Sequence, residues 1–235
     1  MKIPEFKIRT DLALEEREGL KEAAEEVSGV SFKKWEGKRS AAQITEVKVL
    51  NEHGAKALGK PMGSYLTLEA DKLLMPDEDF HSEVSDELAL LLKGLLKQKT
   101  GKNILVAGLG NQSVTPDSLG PRTVSNLCVS AEGLKAIAPG VMAQTGMETA
   151  RILLGIIKEV QPDLVIAIDA LAARSIRRLG TTIQLTDTGI HPGSGVGNHR
   201  HSLTKETLGI PVLELTFQCL LGKGMLASSH FLERL

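Results

Sequence analysis

Two lone carboxylates stand where short apolar runs end. Ile104-Leu105-Val106-Ala107 runs into Gly108-Leu109-Gly110-Asn111 and on to Asp117, and Leu164-Val165-Ile166-Ala167-Ile168 stops on Asp169. If both runs are neighbouring parallel strands, their acids meet at one sheet edge, because ligand crevices in open α/β sheets lie beyond the carboxyl ends of strands. Two carboxylates in one cleft resist double ionisation, so the pair can hold a proton and divide acid and base work. Each acid also has a plainer explanation. Asp117, between Pro116 and Ser118, suits the first turn of a helix, where the local dipole favours negative charge. Asp169 leaves a fully apolar strand and must reach solvent or a partner, and Arg174 is the candidate cation for an ion pair.

The elements that must position these acids are legible in the hydrophobic pattern. Thr145 and Glu148 have the spacing of a capping box, and Met147, Ala150, Leu154, Ile157 and Val160 form an inward helical stripe ended by Pro162. The strand Leu164 to Ile168 follows, and its uniform apolarity suits a parallel strand covered on both faces. Val84 to Lys99 repeats Leu at helical spacing, Asp11 to Val27 reads as an amphipathic helix, and Ala41 to Leu50 and Tyr65 to Ala70 read as strands around a Lys60 to Ser64 turn. Ile183 with Leu185, and Ile210 to Leu215, add two more strands. An alternating series of this kind implies a layered α/β sheet.

The stretch from Asp187 to Arg200, rich in glycine, is a shaped loop rather than a helix or central strand. It holds His191 and His199, with His201 just beyond, but without the H-E-x-x-H spacing of common zinc peptidases. Gly193-Ser194-Gly195 does not give G-x-S-x-G, so Ser194 is rejected as a hydrolase nucleophile. No G-K-[ST] follows the glycines, and Gly108-Leu109-Gly110-Asn111 lacks the third glycine of a dinucleotide fingerprint, so neither a Walker loop nor a nucleotide cofactor is expected. Amides around Gly193 to Gly197 are candidate oxyanion donors.

Composition bounds the rest. The chain has 235 residues, 42% hydrophobic, with 28 Lys and Arg against 29 Asp and Glu, enough for a substantial core and without a global basic field for nucleic acid. No run is long enough to span a bilayer and Met1 to Glu5 lacks a signal-peptide core, so a cytoplasmic protein is expected. Cys128 and Cys219 are expected to be reduced thiols.

Several ordered stretches carry a specific likeness. Val106 to Asn111, Val114 to Pro121, Pro139-Gly140-Val141-Met142, Ile166 to Ser175 and Asp187 to Asn198 resemble the germination protease family of spore-forming bacteria, and Arg9-Thr10-Asp11-Leu12-Ala13 resembles that family near the junction of propeptide and mature enzyme. The resemblance extends to about Val212, with a shorter stretch than the family's between Pro121 and Pro139. It implies an endopeptidase that degrades small acid-soluble spore proteins in the germinating spore core. It further implies a zymogen that is processed autocatalytically, here near Phe6-Lys7, and a homo-oligomer, in this family a tetramer. The family's two essential aspartates fall on Asp117 and Asp169, with Arg174, His191, Gly193 and Gly195 as supporting candidates and no cofactor or metal. The implied fold is a layered, mostly parallel αβα sheet of the phosphorylase/hydrolase-like kind, similar to hydrogenase-maturation endopeptidases.

Residues 1–7 are then expected to be a propeptide remnant and 8–235 a single peptidase domain. From about residue 213 the text Leu213-Glu214-Leu215-Thr216-Phe217 departs from the family, and that part is expected to be divergent and truncated. Three rivals stay open. Asp117, Asp169 and His191 could present two oxygens and a nitrogen to a divalent ion, as in a metal-dependent maturation-type peptidase. An inactive truncated relative is the non-enzymatic alternative. A peptidyl-transfer-RNA hydrolase is suggested by Gly108 to Asn111 alone, but expects a basic RNA-facing groove.

Overall fold

A computed structural model describes residues 10–21, 27–96, 103–129, 133–170, 175–190 and 202–217. The strands are β1 (Val30–Glu36), β2 (Gln43–Val49), β3 (Gly63–Glu69), β4 (Ile104–Gly108), β5 (Leu134–Ile137), β6 (Leu164–Ala170), β7 (Thr182–Thr186) and β8 (Val212–Phe217). The helices are α1 (Ala13–Lys21), α2 (Glu52–Leu58), α3 (Glu78–Leu96), α4 (Leu119–Ser125), α5 (Met142–Thr145), α6 (Thr149–Val160) and α7 (Lys205–Leu208). All eight strands form one sheet in the order β1-β2-β3-β7-β8-β6-β4-β5. The block β8-β6-β4-β5 is parallel, and β1, β2, β3 and β7 extend it in antiparallel fashion.

The two apolar runs are neighbours, as expected: β4 pairs with β6 in parallel, Ile104 opposite Leu164 through Gly108 opposite Ile168. Because side chains alternate along a strand, each run contributes to both layers. Val106, Ile166, Ile168, Leu213 and Leu215 face α3, whose Val84, Leu88 and Leu92 are fully buried at four-residue spacing. Leu105, Ala107, Val165, Ala167 and Val212 face Ala150 and Leu153 of α6 and Leu208 of α7. On that same side, farther along the sheet, Val47, Val49 and Tyr65 pack against Ala13 of α1 and Leu58 of α2. Helices on both faces make the layered αβα arrangement.

Local chemistry explains where the pattern misled. The spacing of Thr145 and Glu148 predicts one helix, but Gly146 adopts φ 68° and closes the separate turn α5. The Thr145 hydroxyl accepts the Met147 amide at 3.1 Å, and α6 starts only after Glu148. The buried stripe is accordingly Ala150 and Leu153, while Met147 is 55% and Leu154 43% exposed. Helix α3 begins earlier than the Leu repeat suggests, because Asp77 accepts the Phe80 amide at 3.0 Å as an N-cap.

Candidate active site

The chain leaves β4 toward β5 on one side and leaves β6 toward β7 and β8 on the other. The carboxyl ends of β4 and β6 therefore form a topological switch point, where open α/β sheets build their ligand crevices. Backbone closes this end tightly: the Leu109 amide donates to the Ile168 carbonyl at 2.8 Å. Gly110 then turns with φ 112°, and a Cβ there would collide with the Asp117 carbonyl. The fold needs glycine at that point.

Asp117 ends a 3-10 turn, Thr115–Asp117, just ahead of α4. Its Oδ2 accepts the Asn111 amide at 2.7 Å, so the carboxylate is oriented by the loop it follows. Asn111 is a second anchor of that loop: its Oδ1 accepts the Ser113 amide at 2.9 Å and Gln144 Nε2 at 2.7 Å. Asp169 is the penultimate residue of β6, part-exposed, and its Oδ1 accepts the Ala170 amide at 2.8 Å. Strand alternation puts it on the face of Val165 and Ala167, opposite Thr216 of β8. Asp117 thus stands in the turn between β4 and α4, and Asp169 at the end of the adjacent strand β6. The supporting candidates Arg174, His191, Gly193 and Gly195 lie outside the described residues, as do Ser194, His199, His201 and the Phe6-Lys7 junction. Among the described residues no group of three His, Cys, Asp or Glu side chains could hold a metal ion.

A third carboxyl group adjoins Asp169 that motif reading passes over. Glu214 sits opposite Ala167 on β8, on the same face and one alternation inward from Asp169. The residue keeps some exposure, yet its carboxyl is desolvated, which with the Asp169 charge pushes its pKa up to about 8. Asp11 adds to the rise and Lys60 opposes it. The signal was present in the alternation Val212, Glu214, Thr216, which places a polar pair on one side of a central strand. Nearby, the Tyr65 hydroxyl donates to the Pro61 carbonyl at 2.9 Å, and burial with the charges of Glu214 and Asp187 raises its pKa.

Glu214 should make stability pH-dependent in a definite direction. Its folded pKa lies above its unfolded value, so the contribution is intact at acid pH and is lost as pH rises through about 8. Glu214→Gln should match the parent near pH 4.5 and exceed it by roughly 2–3 kcal/mol near pH 8. Urea denaturation at both pH values reads this; an equal gap at the two would refute it.

The segment Thr10–Lys21 crosses the same sheet face. Gln184 of β7 uses both ends of its amide on it, accepting the Ala13 amide at 3.0 Å and donating to the Asp11 carbonyl at 3.3 Å. Lys60 Nζ donates to that carbonyl at 2.9 Å. Arg178 closes the other end by pairing with Glu15 at 3.1 Å, Glu18 at 2.8 Å and Glu69 at 2.8 Å.

An α/β sheet with two aspartates at its switch point is a scaffold suited to hydrolytic chemistry. The model of the family described as germination protease matches residues 8–228, past the Val212 at which the motif resemblance stops. The chain belongs to the germination protease family. It is 50% identical over 222 residues to the germination protease of Caldanaerobacter subterraneus, covering 88% of this chain and 67% of that one. It is 44% identical to that of Oceanobacillus iheyensis (89% and 63% covered) and 42% to that of Clostridium perfringens (89% and 69% covered). The chain thus spans about two thirds of the length of these relatives. Among solved structures it is similar to a NiFe hydrogenase maturation protease, HycI from Thermococcus kodakarensis, at 20% identity and a TM-score of 0.44, over 61% of this chain and 94% of that one.

Proposed function

We propose that this chain is an endopeptidase that cleaves small acid-soluble spore proteins during germination, with Asp117 and Asp169 as its water-activating pair. The observation that supports the reading is that Asp117 follows β4 and Asp169 ends its parallel neighbour β6, in a chain whose family match spans residues 8–228. One carboxylate takes a proton from water, and the resulting nucleophile attacks the scissile carbonyl carbon. The protonated partner meanwhile donates to the carbonyl oxygen, leaving one proton on the pair at the gem-diol; that proton then goes to the amine nitrogen as the C–N bond breaks, and the pair takes one back from the gem-diol hydroxyl. The Asn111 amide on Asp117 and the Ala170 amide on Asp169 orient the two groups. Amides of Gly193 to Gly197 are the proposed oxyanion donors, and Arg174 and His191 the proposed flanking groups.

The same reading includes a zymogen processed autocatalytically near Phe6-Lys7, self-association into a homo-oligomer, action in the spore core, and residues 8–235 as one peptidase domain. No described helix is long and apolar enough to cross a membrane. Digestion of a purified spore protein before and after dialysis against chelator tests the chemistry. Equal cleavage in both samples is expected; loss on chelation with recovery on adding a divalent ion would replace the carboxylate-only mechanism with the metal-dependent one.

A further inference from the structure

We propose that Glu15 is a positioning residue for the site: it docks the Thr10–Lys21 arm as a strut that holds the carboxyl end of β6, where Asp169 stands. This rests on the reading of Asp169 as a reacting group. The Glu15 side chain is 3% exposed, although α1 lies at the protein surface with Glu18 49% exposed one turn on. A carboxylate this buried is unfavourable unless it is paired and hydrogen-bonded, and an apolar residue there would bury more cheaply. Its partners suggest what the charge does. Glu15 Oε1 accepts the Ser175 amide at 2.9 Å and Arg178 Nη1 at 3.1 Å. It therefore holds the chain where it returns after β6 has ended at Ala170.

Arg178 spreads that hold. Its Nε donates to Glu69 at the end of β3, and its Nη1 and Nη2 grip both oxygens of Glu18 at 2.9 and 2.8 Å. The planar guanidinium makes this a fixed fork that lysine cannot copy. The other half of the arm is anchored in the row of the sheet that carries Asp169. Asp169 lies opposite Thr216, Thr216 lies opposite Gln184, and Gln184 binds the arm's backbone at both Asp11 and Ala13. The arm thus touches the row of Asp169 through Gln184 and the chain beyond it through Glu15. Small displacements of a reacting group cost rate steeply, so a strut at this point affects turnover rather than substrate affinity.

Glu15→Ala, Glu15→Gln and the parent are compared by steady-state cleavage of a spore protein and by amide hydrogen exchange. Glu15→Ala should lower kcat about tenfold or more with KM within about twofold, and Glu15→Gln, which keeps an acceptor for the Ser175 amide, should recover part of that loss. Exchange should rise in peptides covering β6 and Ser175–Thr181 and stay unchanged in α3. An unchanged kcat, or exchange that rises equally throughout, would reduce Glu15 to an ordinary stabilising contact and overturn the proposal. If the parent itself cleaves nothing, the peptidase reading fails, and the exchange comparison alone decides whether the strut exists. Should Glu15→Ala not fold, the same two measurements on Glu15→Gln against Arg178→Lys decide it, with loss in both variants confined to β6 and its exit supporting the strut and loss in neither refuting it.

Discussion

Asp169→Asn should lower spore-protein cleavage by about 10³-fold or more while the fold survives, the scale expected when a positioned acid or base is removed. The amide is isosteric, and its oxygen can still accept the Ala170 amide as Oδ1 does now at 2.8 Å. What disappears is the capacity to carry a proton to or from water. Asp117→Asn should have an effect of the same order, because its remaining oxygen can keep the Asn111 amide at 2.7 Å. The Asp169 change carries a second signature. Its charge helps push Glu214 up to about 8, so removing it relieves a buried repulsion and should stabilise the protein above neutral pH. Lost turnover with raised alkaline stability marks a group kept for chemistry at the expense of the fold. Turnover and melting curves at pH 5 and 8 read both effects, and cleavage retained by both single variants would remove the pair from the mechanism.

The second large effect falls on stability. Gly120→Ala should destabilise by ~3 kcal/mol or more, toward the upper end of overpacking penalties, because rigid backbone surrounds the new methyl group. A Cβ at Gly120 would stand 2.5 Å from the Ile168 carbonyl oxygen and closer still to the Leu109 amide nitrogen and carbonyl oxygen. Two of these atoms, the Leu109 amide nitrogen and the Ile168 carbonyl oxygen, form the hydrogen bond that ties the end of β4 to β6. Relief must therefore come from moving strand ends. Gly155→Ala in the interior of α6 is the matched control: nothing lies within 4 Å of its Cβ position, and helix propensity favours alanine by about 1 kcal/mol. Urea denaturation of both variants separates them, and a Gly120→Ala protein as stable as the parent would show that the crossing is looser than described.

The features legible in the sequence were those encoded within one segment. Leu164 to Ile168 reads as a buried parallel strand because every residue is apolar, and all of them are at most 4% exposed. Asp117 and Asp169 stand out because each follows such a run. Strand β1 escaped notice, since its edge position leaves Lys33 and Lys34 exposed and blurs the alternation. Strand β5 has only four residues, too few for any period to show. The arm contacts were illegible for another reason: Gln184 and Ala13 are 171 residues apart, and Arg178 and Glu15 are 163 apart. No local pattern announces a bond across such a distance. Glu214 was hidden differently: a single acid within an apolar run carries no motif, and only the pairing of β8 with β6 sets it beside Asp169.

The order in which the sheet is synthesised has a consequence for the cell. β8 lies between β6 and β7, so it alone zips the parallel block to the antiparallel one, and it is the last strand of the described chain to leave the ribosome. Until residue 217 emerges, β6 and β7 each present a raw edge capable of pairing with a stranger. Nascent chains of this protein are therefore open to edge pairing until β8 has emerged, and stalling before Val212 would favour aggregation over folding.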